Sequence, residues 1–334
     1  MTKPSPSHPV ARAGTCHDHL AGRLGVALFD PGDLPSEAGE LTTFDLQLPG
    51  PIDLAASLEP FRRWGDDMID RWDGVSLVRT LPAGHRNVAY VCEAGGTLEK
   101  PVFHVSVEDP GCRQAVTLAV TSTFSTLPPQ FAELVRTDPV IARLHALFPG
   151  VRPVRQFDLL AALVRCISAQ QVNLQWATIT RRRLVEAYGE KHVVGGWTVY
   201  SLDARRLAAA NPADIRALQF TNRKAEYLVG AAEAVASGQL DLQTLAALPD
   251  EDVISRLISL RGIGLWTAEW ILARTLGRPR VVAGDLGVRK AVGLAYLGSP
   301  SPSEAEVRRV TAHWGASAGI ARQLLLHALS QGAL

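Results

Sequence analysis

The stretch Leu260-Arg261-Gly262-Ile263-Gly264-Leu265-Trp266-Thr267-Ala268-Glu269-Trp270 decides the reading of this chain, together with Asp285, 21 residues beyond Gly264. Val253, Ile254, Leu257, Ile258 and Leu260 recur at helical spacing before it; Trp266, Trp270, Ile271 and Ala273 do so after it. Only Arg261 to Gly264 remain for the turn. Two apolar helices therefore meet at a corner that holds two glycines. Glycine reaches positive φ at low cost and lets a ligand come close to the backbone. The N–H groups that open the second helix lack intrahelical acceptors and form an anion site. On duplex DNA that site would hold a phosphate and set register without reading sequence. An ordinary helix corner with a glycine C-cap uses the same residues. A dinucleotide-binding loop fits poorly, because a third glycine is missing and the segment follows a helix pattern.

Val281-Val282-Ala283-Gly284 leads into Asp285, and a helix pattern continues from Leu286 to Leu297. Aspartate is a favoured N-cap. The same position suits catalysis. The positive end of a helix favours an ionised carboxylate, which can stabilise a sugar cation and orient a water. Both readings stand on these residues alone.

Working outward, the pattern predicts an α+β protein. Residues 1–40 carry Pro4, Pro6, Pro9, Gly14, Gly22, Pro31, Gly32 and Pro35 and read as a weakly ordered extension. Residues 41–127 read as an antiparallel sheet with one covering helix. Phe44 to Leu48, Val75 to Arg79, Val88 to Cys92, Val102 to Val107 and Ala115 to Thr121 have strand character, and Ile52 to Trp72 reads as one amphipathic helix. Ser122 to Pro129 is the expected linker. Residues 128–334 read as helical, with Phe157 to Tyr188 one long helix-patterned segment and Gly195-Gly196 a breaker.

Bulk properties narrow the partners. The chain has 334 residues, 47% hydrophobic and 20% charged, with a formal net charge of +1. From Arg261 to Leu334 nine Arg/Lys stand against four Asp/Glu, a local excess compatible with a DNA-facing end. Cys16, Cys92, Cys112 and Cys166 lie far apart and predict isolated thiols in a reducing cytoplasm. No apolar run reaches the length of a membrane span, and the N-terminus has no apolar signal core. His104, His145, His313 and His327 form no metal or triad pattern.

Taken together, Leu260 to Glu269 and Asp285 resemble the helix-hairpin-helix DNA glycosylase superfamily. More narrowly, the chain looks like the 3-methyladenine DNA glycosylase II family. Phe157-Asp158-Leu159-Leu160 through Ser168-Ala169-Gln170-Gln171-Val172, and Leu207 through Asn222-Arg223-Lys224-Ala225, match as well. The similarity covers about residues 41 to 331. It implies a helix-hairpin-helix glycosylase domain over 128–334. The implied enzyme of base excision repair flips an alkylated purine (3-methyladenine or 7-methylguanine type) out of double-stranded DNA and hydrolyses its N-glycosidic bond. Such bases already carry positive charge and leave readily, and an aromatic pocket attracts them by cation–π contact.

Residue by residue, the resemblance makes Asp285 the catalytic carboxylate. It puts Trp266, Trp270, Gln170 and Phe61 at the base pocket. Gly262, Ile263, Gly264, Thr267, Gln171 and Arg289 would meet DNA, with Gln171 filling the gap left by the flipped base. The backbone carbonyls of Ile258, Leu260 and Ile263 would hold a monovalent cation, sodium or potassium. No other cofactor is implied, and the cysteine cluster of iron–sulfur relatives is missing near the C-terminus. Leu286 and Leu329 replace aromatic residues of the family pattern, which leaves the substrate range open. The expected protein is a cytoplasmic, nucleoid-associated bacterial monomer.

Two other functions compete. A bifunctional glycosylase/lyase for oxidised bases needs a lysine where this chain has Trp266, because a Schiff base requires an amine. A non-catalytic DNA-binding protein would keep the corner but gain nothing from Asp285 beside phosphates.

Overall fold

A computed structural model describes residues 41–83 and 86–334. The expected extension over 1–40, and Cys16 in it, lie outside these residues. Five strands form the first layer: β1 (Thr42–Gln47), β2 (Arg71–Trp72), β3 (Ser76–Ala83), β4 (Arg86–Gly96) and β5 (Pro101–Val107). All pairs are antiparallel, in the order β1-β5-β4-β3-β2. The register aligns Phe44, Val105, Cys92, Leu77 and Trp72 in one row across the sheet. Alternation along each strand puts that row on one face. Leu58, Val116 and Val120 close over it, from α1 (Leu54–Leu58) and α2 (Arg113–Thr121).

Two expectations fail here. Ile52 to Trp72 is not one helix. After α1 a 3-10 turn (Glu59–Phe61) follows, and Gly65 and Met68 take φ of +105° and +65°. Asp66 and Asp67 then accept from the N–H groups of Met68 (2.9 Å) and Ile69 (3.2 Å). Tertiary ion pairs drive this break. Buried Asp67 lies 2.9 Å from Arg181 and 3.0 Å from Arg165, so the chain must turn toward the helical layer. Ala115 to Thr121 is helix α2 and not a strand. Val116 and Val120, four apart, share one face and fill the sheet's core.

The helical layer begins with α3 (Phe131–Thr137) and α4 (Pro139–Leu147), which join a core with α13 (Leu286–Val292), α14 (Glu304–Thr311) and α15 (Ala318–Ser330). A second helical core holds α5 (Leu159–Ala169), α6 (Leu174–Tyr188), α7 (Ala204–Ala208), α8 (Pro212–Ala217), α9 (Asn222–Ala236), α10 (Leu242–Ala247), α11 (Asp250–Ile258) and α12 (Leu265–Arg274). Phe157 to Tyr188 is thus two helices. Asn173 caps the second by accepting from the N–H of Trp176 at 2.8 Å.

Residues 128–334 are also not wholly helical. β6 (Gly189–Val194) and β7 (Trp197–Leu202) form a hairpin around Gly195-Gly196, both at positive φ (55° and 79°). A two-residue loop of that kind matches the twist of the strands it joins. Val194 and Val199 pack on Val78, Ala89 and Val91, covering the sheet's other face. Among the described residues no helix is long and apolar enough to cross a membrane.

Candidate active site

The corner between α11 and α12 is built around a missing side chain. Gly262 sits at φ +86°, and a Cβ there would lie 2.2 Å from Cγ of Tyr227 on α9. The N–H of Ile263 donates to the Leu260 carbonyl at 3.1 Å, and the Ile263 side chain is buried in the core. Gly264 differs from Gly262. Its φ of −107° suits any residue, and a Cβ would meet no atom within 4 Å. Its lack of a side chain leaves the N-terminus of α12 open. The N–H groups of Gly264, Leu265, Trp266 and Thr267 find no acceptor among the described residues. They are the open donors at which the sequence reading places an anion.

Asp285 caps α13. Its Oδ1 accepts from the Val288 N–H at 2.9 Å, and its Oδ2 accepts from the indole Nε1–H of Trp266 at 3.3 Å. The two readings of Asp285 are therefore not alternatives. One oxygen caps the helix and the other faces α12. Buried Glu269 ties α12 to its surroundings through Arg308 (2.8 Å) and Arg280 (3.3 Å).

Two connected hollows meet at this carboxylate. A deep cavity of about 210 Å³ has Phe61, Trp64, Trp266 and Trp270 as aromatic walls. A wider cleft of about 930 Å³ includes Gln170, Gln171, Gly264, Thr267, Leu286 and Leu329. Trp64, Trp266, Arg274 and Asp285 line both, so they mark the passage between them. The sheet layer supplies Phe61 and Trp64, one helical core supplies α12, and the other supplies α13.

The structure thus gathers Asp285, Trp266, Trp270 and Phe61 at the deep cavity. Phe61 comes from the 3-10 turn, not from a helix. Gln170 is elsewhere. It lines the cleft, and its Nε2 donates to the Gly262 carbonyl at 2.9 Å, so its amide braces the corner. Gln171 is exposed at the tip of the turn between α5 and α6, at φ +56°. A non-glycine residue held there costs about 1–3 kcal/mol. The turn is anchored by buried Lys224, whose Nζ donates to the Ser168 carbonyl at 2.8 Å. Arg289 borders neither hollow, and its Nε donates to the Pro302 carbonyl at 2.7 Å. Through Nε it fastens α13 to the segment before α14. Ile258 ends α11, while the Leu260 carbonyl already accepts from Ile263.

Sequence reasoning missed Trp64, Arg165, Arg181 and Arg274. Of these, Arg274 had a signal: it stands four residues beyond Trp270 and eight beyond Trp266, on one helical stripe. Burial pushes the Asp67 carboxyl up, but Arg165 and Arg181 overcome this and hold it below the usual carboxylate range. Burial lowers the Arg274 guanidinium, Asp285 draws it back up, and Arg165 lowers it further. Burial brings Arg322, on α15 near Asp285, down to about 9. Its Nε and Nη2 are buried without hydrogen-bond partners among the described residues.

Comparison with known proteins agrees with this geometry. The family described as "HhH-GPD superfamily base excision DNA repair protein" matches residues 164–316. A Bacillus subtilis (strain 168) protein named DNA-3-methyladenine glycosylase is 30% identical over 186 residues, 55% of this chain and 61% of that one. DNA-3-methyladenine glycosylase 1 of Schizosaccharomyces pombe is 40% identical over 160 residues, 46% of this chain and 66% of that one. The chain thus spans 61% and 66% of the lengths of these two curated relatives. Among solved structures, a 3-methyladenine DNA-glycosylase from Archaeoglobus fulgidus aligns with a TM-score of 0.76 at 21% identity, covering 87% of this chain and 100% of that one. That last likeness is one of fold.

Proposed function

We infer that this chain, whose residues 164–316 match the HhH-GPD superfamily of base excision DNA repair proteins, is a monofunctional DNA glycosylase for alkylated purines. The observation that carries this reading is the position of Asp285, at the passage between an aromatic cavity and a cleft bordered by the α12 N-terminus. Duplex DNA lies along the cleft, and the free N–H groups from Gly264 to Thr267 hold a phosphate. Gln171 enters the stack where the damaged nucleotide has left. The base enters the deep cavity between Trp266, Trp270 and Phe61, and its C1′ comes to rest beside Asp285.

Bond cleavage then leaves positive charge on the sugar. A carboxylate about 4 Å away, at an effective dielectric of about 20, contributes about 4 kcal/mol. That corresponds to roughly a thousandfold in rate. Asp285 also orients the water that adds to C1′, while the Trp266 indole fixes the carboxylate's direction. Trp266 has no amine, so no Schiff base forms and the DNA backbone stays intact. A sodium or potassium ion on the carbonyls of Ile258, Leu260 and Ile263 would add positive charge near the phosphate. In this reading the protein acts as a monomer on the DNA of a bacterial nucleoid.

The test is base release from methylated duplex DNA by the wild type and by Asp285→Asn. Release should fall at least a hundredfold while DNA binding persists. Equal release by both proteins removes Asp285 from the mechanism. Binding without release by the wild type makes the protein a non-catalytic binder.

A further inference from the structure

We propose that Lys224 is a positioning residue for base flipping: its ammonium, bound to the end of α5, holds the turn that sets Gln171 in the cleft. The inference rests on the glycosylase reading above and concerns how the same site opens a base pair.

Lys224 stands where a lysine is disfavoured twice. It is the third residue of α9, in the first turn, where the helix dipole repels a cation. It is also buried, which lowers its ammonium, and no carboxylate among the described residues offsets this. The compensation comes from another helix. Its Nζ donates to the Ser168 carbonyl at 2.8 Å, in the last turn of α5, where unpaired carbonyls gather negative charge. A hydrogen bond from an ammonium to such a carbonyl is stronger than a neutral one.

Ser168 is held at a second point, since its hydroxyl accepts from Nη1 of buried Arg181 at 3.0 Å. Two residues on, the Gln170 amide bonds the Gly262 carbonyl. These three anchors all fall before Gln171, which is exposed, lines the cleft and holds φ +56°. Glutamine does not rest in that conformation without support. Freed from Lys224, the end of α5 relaxes and carries Gln171 back toward the right-handed or extended regions. The same helix supports the other DNA-facing element, because Tyr227, three residues beyond Lys224, packs against Gly262. No residue of α9 lines either hollow, so Lys224 acts through Gln171 and not by touching the base. Flipping costs unstacking and unpairing, least for a base without a partner. A displaced Gln171 therefore slows release of a paired base and spares an unpaired one.

The experiment measures single-turnover release of 7-methylguanine placed opposite cytosine or opposite an abasic-site analogue. Wild type, Lys224→Met, Lys224→Arg and Gln171→Ala are compared, with 2-aminopurine beside the lesion reporting flipping by fluorescence. Lys224→Met should slow release opposite cytosine at least tenfold and opposite the abasic analogue less than threefold, with a matching loss of the 2-aminopurine rise. Lys224→Arg should restore most of the flipping, and Gln171→Ala should reproduce the pattern of Lys224→Met. Equal losses on the two substrates would overturn the proposal, since they would make Lys224 a support of the fold alone. So would an unimpaired Lys224→Met, or a Gln171→Ala that flips as well as wild type. Should Lys224→Met fold poorly, Lys224→Gln, which keeps a donor without the charge, replaces it under the same criteria. If the wild type releases neither base, the glycosylase reading fails, and the fluorescence alone decides: a rise lost in Lys224→Met supports the positioning role and an equal signal refutes it.

Discussion

Replacing Gly262 with alanine separates a corner that needs glycine from one that merely contains it. Two costs add. A non-glycine residue at φ +86° pays about 1–2 kcal/mol for the clash of Cβ with its own backbone. The same Cβ would stand 2.2 Å from Cγ of Tyr227, and forcing that ring aside costs about 1–3 kcal/mol. The expected destabilisation is therefore about 2–5 kcal/mol, against a total stability of about 5–15 kcal/mol. Urea unfolding of Gly262→Ala, Tyr227→Ala and the double variant measures the parts separately. Removing the ring should relieve the second cost and leave the first, giving a coupling of about 1–3 kcal/mol. Gly264→Ala is the control. With φ −107° and no neighbour within 4 Å, it should stay within about 0.5 kcal/mol of wild type. Its methyl group should still weaken binding to duplex DNA. A Gly262→Ala protein as stable as the control would refute the account of the corner.

Acid should weaken the protein through Asp67. Its folded carboxyl lies below the unfolded value, so the unfolded chain binds the proton first as pH falls below about 4, and stability present above that pH is lost on the way down. The stability gap between wild type and Asp67→Asn should be widest near neutrality and shrink toward about pH 3 in urea titrations; a gap independent of pH would contradict the ion-pair account. Borohydride treatment with abasic-site DNA should trap no covalent adduct, because Trp266 offers no amine. A trapped band on a denaturing gel would restore the lyase alternative.

Much of the fold was legible because the signals were local. Alternation in Phe44 to Leu48 and Val102 to Val107 marks strands whichever sheet they join. The approach to Asp285 reads as a helix start because capping needs only three or four consecutive residues. Gln170 shows where local reading stops. Its place in the sequence pointed to the pocket, yet its amide reaches Gly262, 92 residues away, and serves the corner. Ala115 to Thr121 shows the same limit for secondary structure. Its β-branched composition suggested a strand, and the need to cover the sheet with Val116 and Val120 made it a helix.

By itself the sequence determined the two-glycine corner, the tryptophan stripe and the carboxylate opening the next helix, since backbone sterics, helical periodicity and capping act between near neighbours. Only the tertiary structure decided that the segment from Ile52 to Trp72 breaks, that the Nε of Arg289 bonds the Pro302 carbonyl, and that Gln170 braces the corner. Those outcomes depend on which charges and acceptors are brought within a few ångströms from distant parts of the chain, and no local pattern carries that information.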